Sequence, residues 1–180
     1  MGIFRREIRF EVDEAPDGRI FIEGTLRDTR LGDPIHVIKV RSEVDALEGR
    51  ILALEGEMLH VPHEDCRHAL QTIDRLVGVR IVPGFTQLVR EVVGSPEGCS
   101  HLAVLVTNLG HVSVQGRGAL VVHKFGGDER AVRLMREQAL QLGIVDNCYT
   151  WRKDGPLVKR LREAAGRDGG AAGDSGGEPV

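Results

Sequence analysis

The chain has few cysteines, few aromatic residues and no long apolar run. None of its 180 residues falls in a stretch approaching the ~20 apolar residues that span a bilayer, so we expect no membrane partner. Residues 1–14 alternate charged and apolar side chains without the apolar core of a secretory signal. Three widely spaced cysteines in such a chain are typical of free or metal-bound thiols in a reducing compartment. We therefore expect a cytoplasmic protein.

An excess of charge of one sign is also missing. The formal net charge is -3, and residues 166–180 alone hold one arginine and three acidic residues. The rest of the chain is therefore close to neutral and lacks the basic footprint of a protein that binds DNA or RNA. This charge distribution predicts no nucleic-acid partner.

The first sixty residues follow the two-residue period of β-strands. In the first run, residues 4–12, Arg6 is the only polar residue on an otherwise apolar face. Similar runs at 20–26, 35–44 and 51–59 are separated by turn signals at 16–18, 32–34 and 48–49. Short turns between such runs predict an antiparallel meander of three or four strands, covered on one side only.

Beyond Pro62 the apolar residues recur at helical spacing. They predict α-helices over 66–77, over 85–92, and from a start at which Ser95 is the N-cap and Pro96 the first helical residue. Residues 110–123 fit either a strand or the continuation of a buried helix, and we favour the helix. Further helices are predicted from an Asp128 cap through 142 and over 156–165.

The overall prediction is an α+β fold in which the meander is followed by a layer of helices on one face. A single domain is expected over residues 1–165. Residues 166–180 hold six glycines and no large apolar side chain except Val180, so we expect a disordered tail.

The candidate chemistry lies with cysteines and histidines. His63 and Cys66 are three residues apart on the first predicted helix and can face the same point. Cys99 and His101 lie in the first turn of the third, where unpaired N–H groups favour a thiolate. With Cys148, these residues form a ligand inventory suited to zinc or an iron–sulfur cluster. No C-x-x-C pair is present, and buried structural cysteines are the alternative interpretation.

Other polar residues are interpreted as structural. Asp28 and Arg30 follow the second predicted strand, and we expect an ion pair that closes a turn there. The remaining histidines of interest are expected at the surface or in satisfied core positions: His36, His68, His111 and His123.

Several motifs resemble one bacterial family of unknown function. The most specific is Gly-Cys-Ser-His-Leu at residues 98–102; others are Met58 with His63-x-x-Cys66, residues 76–81, residues 83–86, and residues 147–155. Together they resemble the family known as domain of unknown function 2889 over most of residues 20–160. The resemblance implies no activity, but it implies that Cys66, Cys99, His101 and Cys148 occupy motif positions. The layout is also loosely similar to iron–sulfur scaffold proteins.

Three functional hypotheses follow. The first is a small metal-binding accessory protein that holds zinc, slightly favoured, or an iron–sulfur cluster through Cys66, Cys99, His101 and Cys148, with His63 in reserve. The second is an enzyme with Cys99 as thiolate and His101 as general acid or base, acting on a small acyl or aromatic substrate. The third is a non-catalytic subunit or interaction module without a cofactor, whose partner is a larger enzyme or another protein.

Overall fold

The computed structural model describes residues 2–126, 128–129, 140 and 144–170. The chain divides into two compact units, Met1–Leu120 and Val121–Val180. The expectation of a single domain over 1–165 stays a prediction. Within the described part of the chain, no helix combines the length and the apolar character needed to cross a membrane.

Four antiparallel strands form the sheet of the first unit. They are β1 (Phe4–Ala15), β2 (Arg19–Arg30), β3 (Asp33–Asp45) and β4 (Ile51–His60), hydrogen-bonded in chain order. Positive φ angles at Asp17 and Gly18 make the first reversal, and Leu31 and Gly32 make the second. The predicted meander is confirmed, and each strand extends slightly beyond the predicted run.

The two faces of the sheet differ as the alternation predicts. Ion pairs occupy the outer face, where Glu23 accepts from Lys39 at 2.6 Å and from Arg41 at 3.0 Å. These two cations hold the pKa of the Glu23 carboxyl below its ordinary value. The inner face carries the apolar core, whose sheet residues include Ile20, Ile22, Leu26, Ile38, Val40 and Met58. Helical segments supply the rest of the core, so the α+β class is confirmed.

The first predicted α-helix is instead a 3₁₀ helix, Glu64–Leu76. Its buried residues include Ala69, Thr72 and Leu76, and the Thr72 hydroxyl donates to the Ala69 carbonyl at 2.7 Å. A Cβ at Gly56 of β4 would lie 2.8 Å from the Leu70 side chain, so the segment packs closely on the sheet. Apolar residues three and four apart fit both helix types, which is why the sequence pattern did not separate them.

The next helix, α1, spans Phe85–Val92 and confirms the prediction there. The predicted start of the following helix is wrong. Ser95 does not cap it, because the Ser95 hydroxyl donates to the Val92 carbonyl at 3.3 Å and the Ser95 carbonyl accepts from Gly98. Residues 95–98 are thus a turn, and α2 begins at Ser100. Cys99 is its N-cap residue, since its carbonyl accepts from the Ala103 N–H at 2.8 Å.

Helix α2 runs without a break from Ser100 to Phe125, so the helical interpretation of residues 110–123 is confirmed. Two of its glycines allow close packing. A Cβ on Gly110 would lie 2.7 Å from the Phe85 ring, and one on Gly116 would lie 2.5 Å from the Val12 side chain. The helix therefore contacts both α1 and β1 at positions where no larger residue fits.

Arg117 joins α2 to the turn between β3 and β4. It is 2% exposed, and its guanidinium donates to the carbonyls of Ala46 at 2.7 Å and Leu47 at 2.8 Å. Burial lowers the pKa of this arginine. A buried cation held by two backbone carbonyls fixes that end of the helix on the sheet.

In the second unit, helix α3 spans Pro156–Gly170, which extends five residues past the predicted end at 165. The extension includes the first residues of the expected disordered tail. Most of the helix predicted from Asp128 through 142, and residues 171–180 of the tail, lie outside the described residues.

The glycines of α2 give a matched test of the packing. Gly110→Ala should lower the free energy of unfolding by about 1–3 kcal/mol, because the new methyl group overlaps Phe85. Gly118→Ala should raise it by about 0.5–1 kcal/mol, because a Cβ at Gly118 meets nothing within 4 Å and alanine favours helix. Urea denaturation of both variants measures the difference. Equal stabilisation by the two changes would contradict the close contact at Gly110.

Candidate metal centre

Three polar side chains form a row across neighbouring strands of the sheet. In the strand register Arg6 of β1 is opposite Asp28 of β2, and Asp28 is opposite His36 of β3. Directly opposite residues point to the same face of an antiparallel pair, here the inner face. The register shifts between Asp28 and Thr29, which indicates a bulge beside the row.

Asp28 is the centre of this row. Its side chain is 1% exposed, and both carboxylate oxygens accept from Arg6: Oδ1 from Nε at 2.7 Å and Oδ2 from Nη2 at 2.8 Å. The Arg6 guanidinium holds the pKa of the Asp28 carboxyl below its ordinary value, although burial acts in the opposite direction. Asp28 is therefore a buried, negatively charged carboxylate in a fixed orientation.

His101 reaches the carboxylate from the first turn of α2. Its Nε2 lies 3.6 Å from Oδ2 of Asp28, and the Nδ1 of His36 lies 3.1 Å from the same oxygen. The two imidazoles stack with ring centroids 3.8 Å apart. Burial lowers the pKa of His101, the charges of His36 and Arg6 lower it further, and Asp28 opposes them. These effects favour the neutral imidazole, which is the form that binds metals.

Asp28, His36 and His101 form a group that could hold a metal ion. One ligand atom from each lies within 4.8 Å of the other two, and no other such group occurs among the residues that the structure describes. Around a tetrahedral zinc ion with bonds of about 2.0–2.1 Å, ligand atoms lie about 3.3–3.4 Å apart. The 3.1 Å and 3.6 Å separations from Oδ2 bracket that spacing. The longer one exceeds a hydrogen bond and is within the distance of an electrostatic contact.

Cys99 lies on the other side of the His101 ring. Its Sγ is 3.8 Å from the Nδ1 of His101, within hydrogen-bonding distance for sulfur. The half-buried Cys99, at the N-cap of α2, thus contacts the nitrogen that does not face Asp28. The chain of contacts runs from thiol to imidazole to carboxylate.

A protein family matches the part of the chain that contains these side chains. The family described as "Protein of unknown function (DUF2889)" matches residues 4–115, more than half of the chain. The chain belongs to the DUF2889 family. No curated protein and no solved structure matches it. The predicted family membership is confirmed, whereas the individual motifs, of which residues 147–155 lie outside the matched segment, and the likeness to iron–sulfur scaffolds stay predictions. The matched segment of this DUF2889 protein contains Asp28, His36, Cys99 and His101.

Two of the five ligands expected from the sequence are neighbours in the structure, Cys99 and His101. Cys66 is half-buried against the apolar core, and His63, three residues before it, is exposed. Cys148 is exposed in a loop of the second unit. None of the three cysteines belongs to the group of converging ligand atoms found in the described residues. A site shared by all these residues stays a prediction.

The sequence analysis missed Asp28 and His36. Asp28 does not pair with Arg30 in a turn, as expected, because it lies inside β2 and pairs with Arg6. His36 contacts Asp28 and stacks on His101. One signal was available: Arg6 interrupts the apolar face of its strand, and a cation on an inner face needs a buried anion.

Asp28→Asn tests the charge at the centre of the site. In metal-free protein at neutral pH, we expect a loss of about 1–3 kcal/mol in the free energy of unfolding, because Arg6 loses its anionic partner. Since the folded-state pKa of Asp28 is depressed, its contribution is present above the ordinary carboxyl pKa of about 3.9 and is lost as pH falls through the lower folded-state value.

The loss of stability caused by Asp28→Asn should therefore be present at both pH 7 and pH 5 and shrink below about pH 4. Urea denaturation at several pH values measures it. Asp74→Asn, at an exposed position of the 3₁₀ helix, is the control and should have little effect. A difference that persists unchanged at low pH would show that the lost charge is not its cause.

Proposed function

We propose that this DUF2889 protein is a small metal-binding accessory protein whose ion is held by Asp28, His36 and His101. The observation that carries the proposal is the convergence of one carboxylate oxygen and two imidazole nitrogens from β2, β3 and α2. His36 follows Asp28 by 8 positions and His101 follows His36 by 65 positions, so only the folded protein brings the three residues together.

The donor set favours zinc over an iron–sulfur cluster. Iron–sulfur clusters are held mainly by cysteine thiolates, and the converging group contains none. Two histidines and one carboxylate are a known set for zinc in sites that keep a further position for water or substrate. The same set holds non-haem Fe(II) in some enzymes, so iron should be measured in the protein as well as zinc.

The surroundings of the site support binding of a cation. Arg6 fixes the carboxylate orientation, as outer-shell partners do for metal ligands. The side chains of His36 and His101 are 15% and 26% exposed, so neither imidazole is fully buried. The charges of Arg6 and Asp28 cancel, so the cation would be held by coordination to the two imidazoles and a carboxylate oxygen rather than by a net negative charge.

The proposal includes a cytoplasmic location. All three cysteines are free thiols, as a reducing compartment keeps them.

Zinc binding by the full chain is the direct test. Protein stripped with a chelator should bind one zinc ion in a calorimetric titration. His36→Gln and His101→Gln should each weaken zinc binding by about 100-fold or more. Loss of an outer-shell partner weakens binding by up to about 100-fold, and these histidines are proposed to contact the metal directly. Metal analysis of the untreated protein identifies the ion that the cell supplies.

Matched histidine changes serve as controls. His68 and His111 are exposed and lie outside the group, so His68→Gln and His111→Gln should leave the affinity unchanged. Cys148→Ser separates this site from the cysteine-containing one predicted from the sequence, because only the latter needs Cys148. Zinc affinity that is insensitive to both His36→Gln and His101→Gln would refute the proposal.

A thiolate enzyme is the second candidate function, favoured by the contact chain from Cys99 through His101 to Asp28. As the Cys99 sulfur attacks a substrate, Nδ1 of the neutral His101 would take the thiol proton as general base, with the Asp28 carboxylate 3.6 Å from Nε2 of the same ring. Asp28 is the residue that would orient the imidazole in this hypothesis. A small acyl substrate is the class that such a nucleophile attacks.

Alkylation of metal-free protein by iodoacetamide at neutral pH tests this candidate. Cys99 should react roughly tenfold faster than the equally half-buried Cys66, because only Cys99 has a base in contact. His101→Gln should remove the excess rate and leave Cys66 unaffected. Peptide mass spectrometry reads both sites in one sample. Equal rates at Cys99 and Cys66 in wild type would exclude an activated thiol.

A further inference from the structure

Strand β1 lies at an edge of the sheet that the described residues form. It spans twelve residues, Phe4–Ala15, and in the described part of the chain it pairs only with β2. An edge strand presents unpaired N–H and C=O groups to any further strand that approaches. Proteins that avoid such pairing place charged side chains, prolines or bulges on the edge, and β1 carries charged side chains, among them Arg6 on its inner face. The sequence of β1 contains no proline, and its pairing with β2 is regular along the whole strand.

The exposed face of β1 carries charges of alternating sign rather than of one sign. Arg5, Glu7, Arg9 and Glu11 occupy successive outward positions, with side chains 71%, 50%, 79% and 58% exposed. Neighbours along the strand form ion pairs, Arg5 with Glu7 and Arg9 with Glu11. Each of these side chains can also form an ion pair with an opposite charge on an adjacent strand.

The order of these charges is complementary to itself in one antiparallel register. With a two-fold axis at Ile8, Glu7 lies opposite Arg9 of a second copy and Arg5 lies opposite Glu11. All four cross-strand pairs then join opposite charges. An axis at Glu7 would instead place Arg5 opposite Arg9, and an axis at Arg9 would place Glu7 opposite Glu11. Like charges directly opposite one another destabilise a sheet, so the charges select the axis at Ile8.

The same axis brings together exposed apolar side chains on the other face. Ile8 is 39% exposed and Phe4 is 51% exposed, although both alternate with the charged residues toward the inner face. In the register above, Ile8 lies opposite Ile8 of the second copy, and Phe4 lies opposite the partly buried Val12. Pairing would therefore cover apolar surface that the single chain leaves in water.

We propose that two copies of this chain associate through antiparallel pairing of their β1 strands about a two-fold axis at Ile8, forming one continuous eight-stranded sheet. The interface is isologous, as expected for a two-fold dimer, because the same strand serves both copies. The proposal does not depend on the proposed metal site, and metal-free protein is used to test it.

Sedimentation velocity of the full metal-free chain over a concentration series measures the association. Arg9→Glu places Glu7 opposite a glutamate twice in the dimer, and Glu7→Arg places Arg9 opposite an arginine twice. Each change should raise the dissociation constant roughly tenfold or more. Because these side chains are largely exposed, both variants should keep the circular dichroism spectrum of the wild type and, at concentrations where all three proteins are monomeric, its urea midpoint.

Mixing the two variants gives the decisive result. In a heterodimer of Arg9→Glu with Glu7→Arg, every changed position again faces an opposite charge, so mixing should restore association with no further mutation. Arg160→Glu and Glu163→Arg, at exposed positions of α3, are the matched controls and should leave the dissociation constant unchanged. A wild-type chain that stays monomeric at all concentrations would overturn the proposal, and so would single variants that dimerise like the wild type.

Discussion

The burial of the Asp28 carboxylate constrains the rest of the structure. A charge out of contact with water is tolerated only when it is paired and hydrogen-bonded, and Arg6 meets both conditions. The pair exists only if β1 and β2 keep their register, since a slip of one residue would turn Arg6 to the opposite face. His36 and His101 then add contacts from β3 and α2. One anion thereby ties three strands and a helix together.

Much of the fold follows from periodicity. Strict alternation in residues 4–12 and the turn residues at 16–18 predict the first hairpin, because the side-chain period and the positive φ angles are local properties. Periodicity does not predict the type of the helical segment 64–76 or the start of α2. Both depend on how tightly the chain returns to the sheet, and Ser95 is used within a turn although its sequence context is typical of an N-cap.

The candidate site was accessible to sequence reasoning only in part. Cys99 and His101 are two residues apart, so their proximity is a local property of the chain, and the sequence analysis selected both. The contact between Asp28 and His36 requires the pairing of β2 with β3, and their distance from His101 is set by packing of α2 on the sheet. No spacing rule within one element contains that information. The presence of thiols in a sequence does not specify which of them lie close together, and Cys148, which the sequence suggested as a ligand, is exposed.

Arg117 and His101 lie on the same continuous helix, sixteen residues and about 24 Å apart at 1.5 Å per residue. Arg117 is held by the backbone of Ala46 and Leu47, near the end of the sheet opposite to Asp28. A stiff helix transmits an axial displacement over its whole length. The carbonyls of that distant turn therefore fix the position of the imidazole together with the packing of α2 along its length. A shift of a few tenths of an ångström at the turn would change the separation between His101 and the carboxylate by a similar amount. Sequence changes in the β3–β4 turn are thus a means of tuning the site without altering any residue in it.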